Sequence, residues 1–255
     1  MWGRGSAPSK PSAARPHEVH FSDSQMSIAE NIARVRERIA AAARRAGRNA
    51  DEITLMGVSK TFPAASIREA YAAGLRVFGE NRVQEFAGKA NTLRDLRDIE
   101  WHLIGHLQTN KAAKATELFD AVDSVDSVRM ADKLNTLAES AGKSLSVLIE
   151  INVGGEKEKS GVAPGSDELE QILQSAPQWG NLKIQGLMTV PPYTEDPEGS
   201  RPYFRQLHQI RDFIAACDLP GTAVLSMGMS HDFEVAIEEG ATCVRVGTAI
   251  FGERV

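Results

Sequence analysis

Apolar positions recur along this chain in two periods, one helical and one strand-like, and the two alternate. Ser27-Ile-Ala-Glu30 fits a capping box, in which serine and glutamate satisfy each other's unpaired backbone donors. Ile28, Ile32, Val35 and Ile39 follow at helical spacing, with Arg34, Arg36 and Arg38 among the polar positions, and Gly47 serves as the stop. The arginines read as a solvated face. Ile53-Thr-Leu-Met-Gly-Val58 is then a short apolar run of the kind that forms a buried strand. After Lys60, Pro63 opens a helix over 64–73, near the first turn, where a missing N–H costs nothing.

The same unit repeats. Further strands are predicted at 75–78, 101–104, 119–122, 145–153, 183–188, 223–225 and 243–246, and further helices at 83–96, 127–141, 167–175, 202–217 and 231–239, with a short helix after the loop 105–111. Ser226-Met-Gly-Met-Ser230 reads as a loop and 247–252 as a closing turn. Eight strands alternating with helices predict an α/β protein with a parallel sheet, and the count favours a single (β/α)8 TIM-type barrel over residues 26–255. The helix before strand one takes the place of an eighth outer helix. Residues 1–25, rich in Ser, Ala, Pro and Arg, show no hydrophobic period and are expected to be a disordered extension. They lack the apolar centre of a secretory signal, and their basic, acid-poor start only faintly resembles a transit peptide, with Met26 as the expected usual beginning.

Composition narrows the class. Hydrophobic residues make up 42% and charged residues 25%, and the formal net charge of -5 argues against a general nucleic-acid binder. No apolar run approaches a membrane span. Cys217 and Cys243 give neither a disulfide framework nor metal-ligand spacing, so a reducing cytoplasm is expected.

In a barrel of this type, chemistry gathers where strands end at the carboxyl face. Those ends carry Lys60, Asn81, His106, Asn152, Thr189, Ser226, Ser230, Arg245, Gly247 and Thr248. Lys60 is either a solvated loop lysine or an amine able to form a Schiff base with an aldehyde. Ser226 and Ser230 bracket a glycine, Ser230 can cap the next helix, and Gly247-Thr248 opens a final turn. Exposed N–H groups and small hydroxyls there suit a phosphate, or serve only as caps and turns. Arg245, set among valines, needs an acceptor if buried: Glu234, Glu80 or a ligand. His102 and His106 share no helix face and find no further ligands, so no metal is expected. Lys157 and Lys159 read as a solvated charge cluster on a mobile loop.

Several blocks, taken together, carry a resemblance: Val58-Ser-Lys-Thr61, Phe78-Gly-Glu-Asn-Arg82, Trp101-His-Leu-Ile-Gly105 with Leu107-Gln-Thr-Asn-Lys111, Gly186-Leu-Met188, Leu225-Ser-Met-Gly-Met-Ser-His-Asp232 and Val244-Arg-Val-Gly-Thr-Ala-Ile-Phe-Gly252. The chain resembles, from about Ile28 to Val255, the pyridoxal phosphate homeostasis protein family, whose fold is similar to the N-terminal barrel of alanine racemase. The resemblance implies that Lys60 carries pyridoxal 5'-phosphate (PLP) as a Schiff base. It also implies that Asn81 lies beside the ring, that Arg245 faces the pyridine nitrogen and that Ser226, Ser230, Gly247 and Thr248 hold the phosphate, with Met227 packing near the site. An arginine leaves that nitrogen unprotonated, so the ring is a poorer electron sink. Racemases of similar type add a tyrosine from a separate domain, which these residues are not expected to supply. The expectation is therefore a monomeric cytoplasmic carrier that buffers and delivers PLP, meeting apo PLP-dependent enzymes transiently, with no nucleic-acid or membrane partner. Lys159 is expected as a second, transient amine for release. The alternatives are a weak PLP-dependent amino-acid racemase and a barrel enzyme binding a phosphorylated sugar.

Overall fold

The Ser27–Glu30 capping box forms: Ser27 Oγ accepts from the Glu30 N–H at 3.2 Å and Glu30 Oε2 accepts from the Ser27 N–H at 2.8 Å. It launches α1 (Ile28–Arg45), whose buried stripe is Ile32, Val35 and Ile39 with two alanines. This computed structural model describes residues 1–3, 26–156, 158–217 and 223–253. Apart from its first three residues, the extension expected at the amino terminus lies outside the described residues.

After α1 the chain runs β1 (Thr54–Val58), α2 (Ala64–Ala72), β2 (Val77–Glu80), α3 (Val83–Ala90), β3 (Glu100–Leu103), α4 (Ala112–Leu118), β4 (Ala121–Val125), α5 (Val128–Ser140) and β5 (Leu145–Glu150). It continues through α6 (Asp167–Ser175), β6 (Leu182–Met188), α7 (Arg201–Ala216), β7 (Val224–Met229), α8 (Phe233–Glu238), β8 (Cys243–Val246) and α9 (Thr248–Phe251). The eight strands pair in sequence order, all parallel, into a closed barrel. Closure joins β1 to β8, with Met56 opposite Arg245 and Gly57 opposite Val246.

Two sequence expectations change. The first concerns α1, which packs between α2 on one side and α8 and α9 on the other, filling the place of an eighth outer helix. Arg34 and Arg36 are exposed as expected and Arg38 is half-buried, but two of the three also reach neighbouring elements. Arg36 donates to Gly74 O at 2.9 Å, and Arg38 pairs with Glu234 at 3.1 Å while lying over the Phe233 ring. The second concerns β7, which runs on to Met229 through Gly228, where φ is +91° and the register with β8 shifts. Gly228 supplies the left-handed backbone of a bulge, and what reads as a loop in sequence is the strand's distorted end.

Strand alternation sorts the core. Val244 and Val246 join the apolar cluster between sheet and helices, so Cys243 and Arg245 take the opposite, inner face. Gly186 lets two strands come together: a Cβ there would lie 1.9 Å from Val224 O. At the amino mouth, His102 is held by Asp123 at 2.9 Å. Lys60, Asn81, Ser230, Gly247 and Thr248 lie beyond the strands' other ends, at the carboxyl mouth.

Candidate functional site

The turn carrying Lys60 is built by its neighbours. Beyond Val58, Ser59 is fully buried and donates from Oγ to Glu80 Oε1 at 2.6 Å. The Phe62 N–H closes the turn on Ser59 O at 3.1 Å, and between them Thr61 sits at φ +69°. A β-branched residue in the left-handed region is costly, and such strain persists only where the surroundings impose it. Here they do. Lys89 Nζ donates to both Ser59 O and Phe62 O at 3.1 Å and pairs with Glu80 at 2.8 Å and Glu85 at 3.3 Å, while Glu85 accepts from the Thr61 N–H. Burial pushes the Glu80 carboxyl above its usual range, and the bonds from Lys89 and Ser59 offset only part of that rise. Sequence reasoning missed Glu80, Glu85 and Lys89 as a group. Lys89 sits on α3, and nothing in the spacing ties a helix lysine to a turn nearly thirty residues earlier.

Beside this turn stands the end of β8. Arg245 is only 3% exposed. Its guanidinium donates to Ser226 O at 2.6 Å, Ser226 Oγ at 2.8 Å and Thr189 O at 2.7 Å. Among the described residues no carboxylate lies within ion-pair distance of it. Glu234 is taken by Arg38 and Glu80 by Lys89, which removes both acids as its partner. Burial pulls the guanidinium pKa down, opposed by Cys243, Asp123, Glu150 and Asp232. Three neutral acceptors orient a buried cation, and among the described residues no counter-charge touches it.

The predicted phosphate group divides. Ser226 is fully buried, and its hydroxyl and carbonyl both serve Arg245. Met227 is buried in the cluster on the helix side of β7, the face opposite Ser226, because neighbouring strand residues point apart. Ser230 does not cap α8. Its Oγ accepts from the Gly247 N–H at 3.2 Å and the Ala249 N–H at 3.3 Å, so two amides of the turn after β8 converge on one oxygen. Asp232 shapes this corner by accepting from the Met229 N–H at 2.7 Å. Gly247 lies against Val58, two residues before Lys60, for a Cβ on it would meet Val58 O at 3.4 Å. Thr248 is exposed on the same turn. The lysine turn and the amide turn therefore share one mouth and adjoin. Asn81 follows β2 at that rim, packed on Gly105, where a Cβ would fall 2.3 Å from Asn81 O.

Across the mouth a cavity of about 580 Å³ is lined by Ile104, His106, Glu150, Asn152, Lys159 and Ser160, among others. Glu150 is 7% exposed and accepts from Ser160 Oγ at 3.0 Å. A carboxylate set between Ile149 and Ile151 in the predicted strand 145–153 is the available signal for it, whereas the strand-end reading picks Asn152. Lys159 is less free than expected: it pairs with Glu156 and donates to Pro191 O at 3.3 Å. Lys157 lies outside the described residues. His106 is largely exposed and near Asp126, whereas His102 belongs to the other mouth. Both cysteines are unbridged, and no described helix is long and apolar enough to cross a membrane.

Comparison with known proteins gives consistent results. Residues 28–255 match the family model of the alanine racemase N-terminal domain. The chain is 49% identical over 229 residues to the pyridoxal phosphate homeostasis protein of Aquifex aeolicus, covering 90% of this chain and 99% of that one. It is 43% identical over 234 residues to the protein of the same name in Escherichia coli, covering 89% and 97%. PipY of Synechococcus elongatus, solved with PLP bound, superimposes with a TM-score of 0.77 at 38% identity, over 89% of this chain and 100% of that one. An alanine racemase of Clostridium difficile gives a TM-score of 0.66 at 16% identity over 89% of this chain and 56% of its own, a likeness of fold alone.

Proposed function

We propose the function from one premise: the chain belongs to the alanine racemase N-terminal domain family and, within it, to the pyridoxal phosphate homeostasis proteins. It binds pyridoxal 5'-phosphate at the carboxyl mouth and serves intracellular homeostasis of that cofactor by buffering and delivering it. The residues fit the group. PLP needs an amine for its aldehyde, donors for its phosphate and a neighbour for its ring nitrogen. The mouth offers Lys60, two converging amides and a buried guanidinium held by three neutral oxygens.

In this reading Lys60 is the covalent anchor and Asn81 flanks the ring. Arg245, aimed by Ser226 and Thr189, faces the ring nitrogen. Ser230, Gly247 and Thr248 take the phosphate, since N–H groups that converge on one hydroxyl oxygen suit an anion better still. When bound, PLP supplies an aldehyde that condenses reversibly with primary amines and a ring that can accept electrons. Arg245 keeps its own proton and gives none to the ring nitrogen, which supports holding the cofactor rather than turning it over. The carrier acts as a monomer in the cytoplasm and meets apo PLP-dependent enzymes transiently. Lys159, at the rim of the same mouth, is the second amine through which the cofactor leaves. Lys159→Ala is expected to slow transfer to an apoenzyme severalfold, and an unchanged transfer rate would remove that role.

The observation carrying this reading is the meeting at one rim of the Lys60 turn, the amide pair and a guanidinium held by neutral oxygens, with no carboxylate partner among the described residues. Its test is to load the protein with PLP, reduce it with borohydride and locate the adduct by mass spectrometry. The adduct is expected on Lys60, and the visible absorbance is expected to vanish in Lys60→Ala. Full absorbance in that variant, or an adduct confined to another lysine, contradicts the assignment.

A further inference from the structure

Residues 158–162 lie across the carboxyl mouth, and what they cover is a carboxyl group. Ser160 Oγ donates to Glu150 Oε1 at 3.0 Å, the Val162 N–H donates to Glu150 O at 2.8 Å, and the Asn152 N–H donates back to Val162 O at 2.9 Å. An isolated parallel bridge joins Ile151 to Val162. Gly161, at φ +104°, comes so close that a Cβ there would meet Glu150 Cγ at 3.2 Å. Under this cover Glu150 Oε2 is buried with no hydrogen-bond partner among the described residues. Gly155, at φ +64°, and Gly161 flank Lys159, and both hold left-handed backbone that only glycine adopts without strain.

An ionised carboxylate with one oxygen unmet is far costlier to bury than the neutral acid. The charges facing Glu150 do not cancel that cost. Arg245 comes from β8, His106 from the loop after β3 and Asp126 from the loop after β4, while Glu158 and Lys159 belong to the covering stretch and Glu156, which precedes it, pairs with Lys159. Among the described residues none of the basic groups lies within ion-pair distance of it. Burial is the largest influence and holds the Glu150 carboxyl above its usual range, with Asp126 adding to the rise and Ser160, Arg245 and His106 opposing it.

We propose that Glu150 is a positioning residue for cofactor release: as the neutral acid it latches residues 158–162, and the Lys159 amine with them, over the barrel mouth, and loss of its proton frees them. What the latch governs rests on the carrier reading above. The latch itself belongs to the cofactor-free chain. In the open form the carboxyl is solvated and titrates near the ordinary glutamate value of about 4.3. The closed form binds the proton more tightly, so opening grows with pH. It rises by up to tenfold per pH unit from about 4.3 to the raised value of the closed form, and is flat above it.

Hydrogen exchange of the cofactor-free full chain between about pH 4.5 and 8 tests this, read at the Asn152 and Val162 amides and corrected for the intrinsic pH dependence of exchange. Protection in the wild type is expected to fall at least tenfold across that range. Glu150→Gln keeps an acceptor for Ser160 but cannot ionise, so its protection is expected to stay level. Ser160→Ala, which leaves Glu150 in place, is expected to be severalfold less protected at the acidic end. The proposal is overturned if Glu150→Gln follows the wild-type pH profile, if wild-type protection is level, or if Ser160→Ala matches the wild type at the acidic end. In the loaded protein the pH profile of PLP release is expected to follow opening in the wild type and to flatten in Glu150→Gln. A chain that never takes up PLP defeats the carrier reading, while the exchange data still decide the latch.

Discussion

Arg245 gives its three hydrogen bonds to two residues, and Ser226 supplies two of the acceptors. Ser226→Ala removes only Oγ, but it leaves a buried N–H of a cation short of an acceptor. That costs about 1–3 kcal/mol, expected as a lowered urea midpoint with an unchanged m-value. Because the guanidinium then loses its aim, PLP affinity is expected to drop about tenfold, a shift of roughly 1.4 kcal/mol, measurable by absorbance titration. This role was hidden in the sequence for a definable reason. A guanidinium between valines announces itself, since it must be buried and must find acceptors. The serine's hydroxyl looks the same whether it serves a phosphate or an arginine. Ending β7 before Ser226, because Gly228 looks like a loop, also removed the alternation that sets Ser226 and Met227 on opposite faces. Glu150 was overlooked for the converse reason: it lies inside the predicted strand 145–153, short of the end at Asn152, and only the chain folding back over it shows that its carboxyl is covered.

Elements meet here through glycines as much as through side chains. At Gly186, in β6, a Cβ would stand 1.9 Å from a carbonyl oxygen of β7, and backbone on both sides cannot yield as a side-chain tip would. Gly186→Ala is expected to lose roughly 3 kcal/mol or more, read by urea unfolding or as a collapse in soluble yield. Gly88→Ala makes the matching control. It lies inside α3 with nothing within 4 Å of an added Cβ, so it should gain about 0.5–1 kcal/mol from helix propensity. Element order, barrel closure and the placement of α1 were all legible from periodicity and caps. What joins one element to the next was not. The Arg38–Glu234 pair and the Lys89 bonds beneath the Lys60 turn link positions 196 and up to 30 residues apart in the chain, and no local pattern encodes such a separation.

At the scale of the whole barrel, the two mouths hold different titrating groups, and these act in different pH windows. The carboxyl mouth carries Glu150, whose proton is held more tightly when covered, so its contribution to the covered state fades as pH rises from the ordinary glutamate range. The amino mouth carries His102 between Asp123 at 2.9 Å and Glu100 at 3.3 Å. Burial alone would lower the imidazole pKa, but Asp123 and Glu100 outweigh it and push it up to about 10. The unfolded value is near 6.5, so the folded chain binds this proton more tightly. The resulting stability is fully present below about pH 6.5 and is lost as pH climbs through about 10. His102→Gln removes the cation and leaves Asp123, 1% exposed, as an uncompensated buried charge. The expected loss at pH 6 is roughly 3–5 kcal/mol. At pH 10 the wild-type imidazole has itself begun to lose its proton, so the gap between the two proteins should shrink. Urea denaturation of both at the two pH values measures this directly, and an equal gap at both would show that the pair contributes through packing rather than charge.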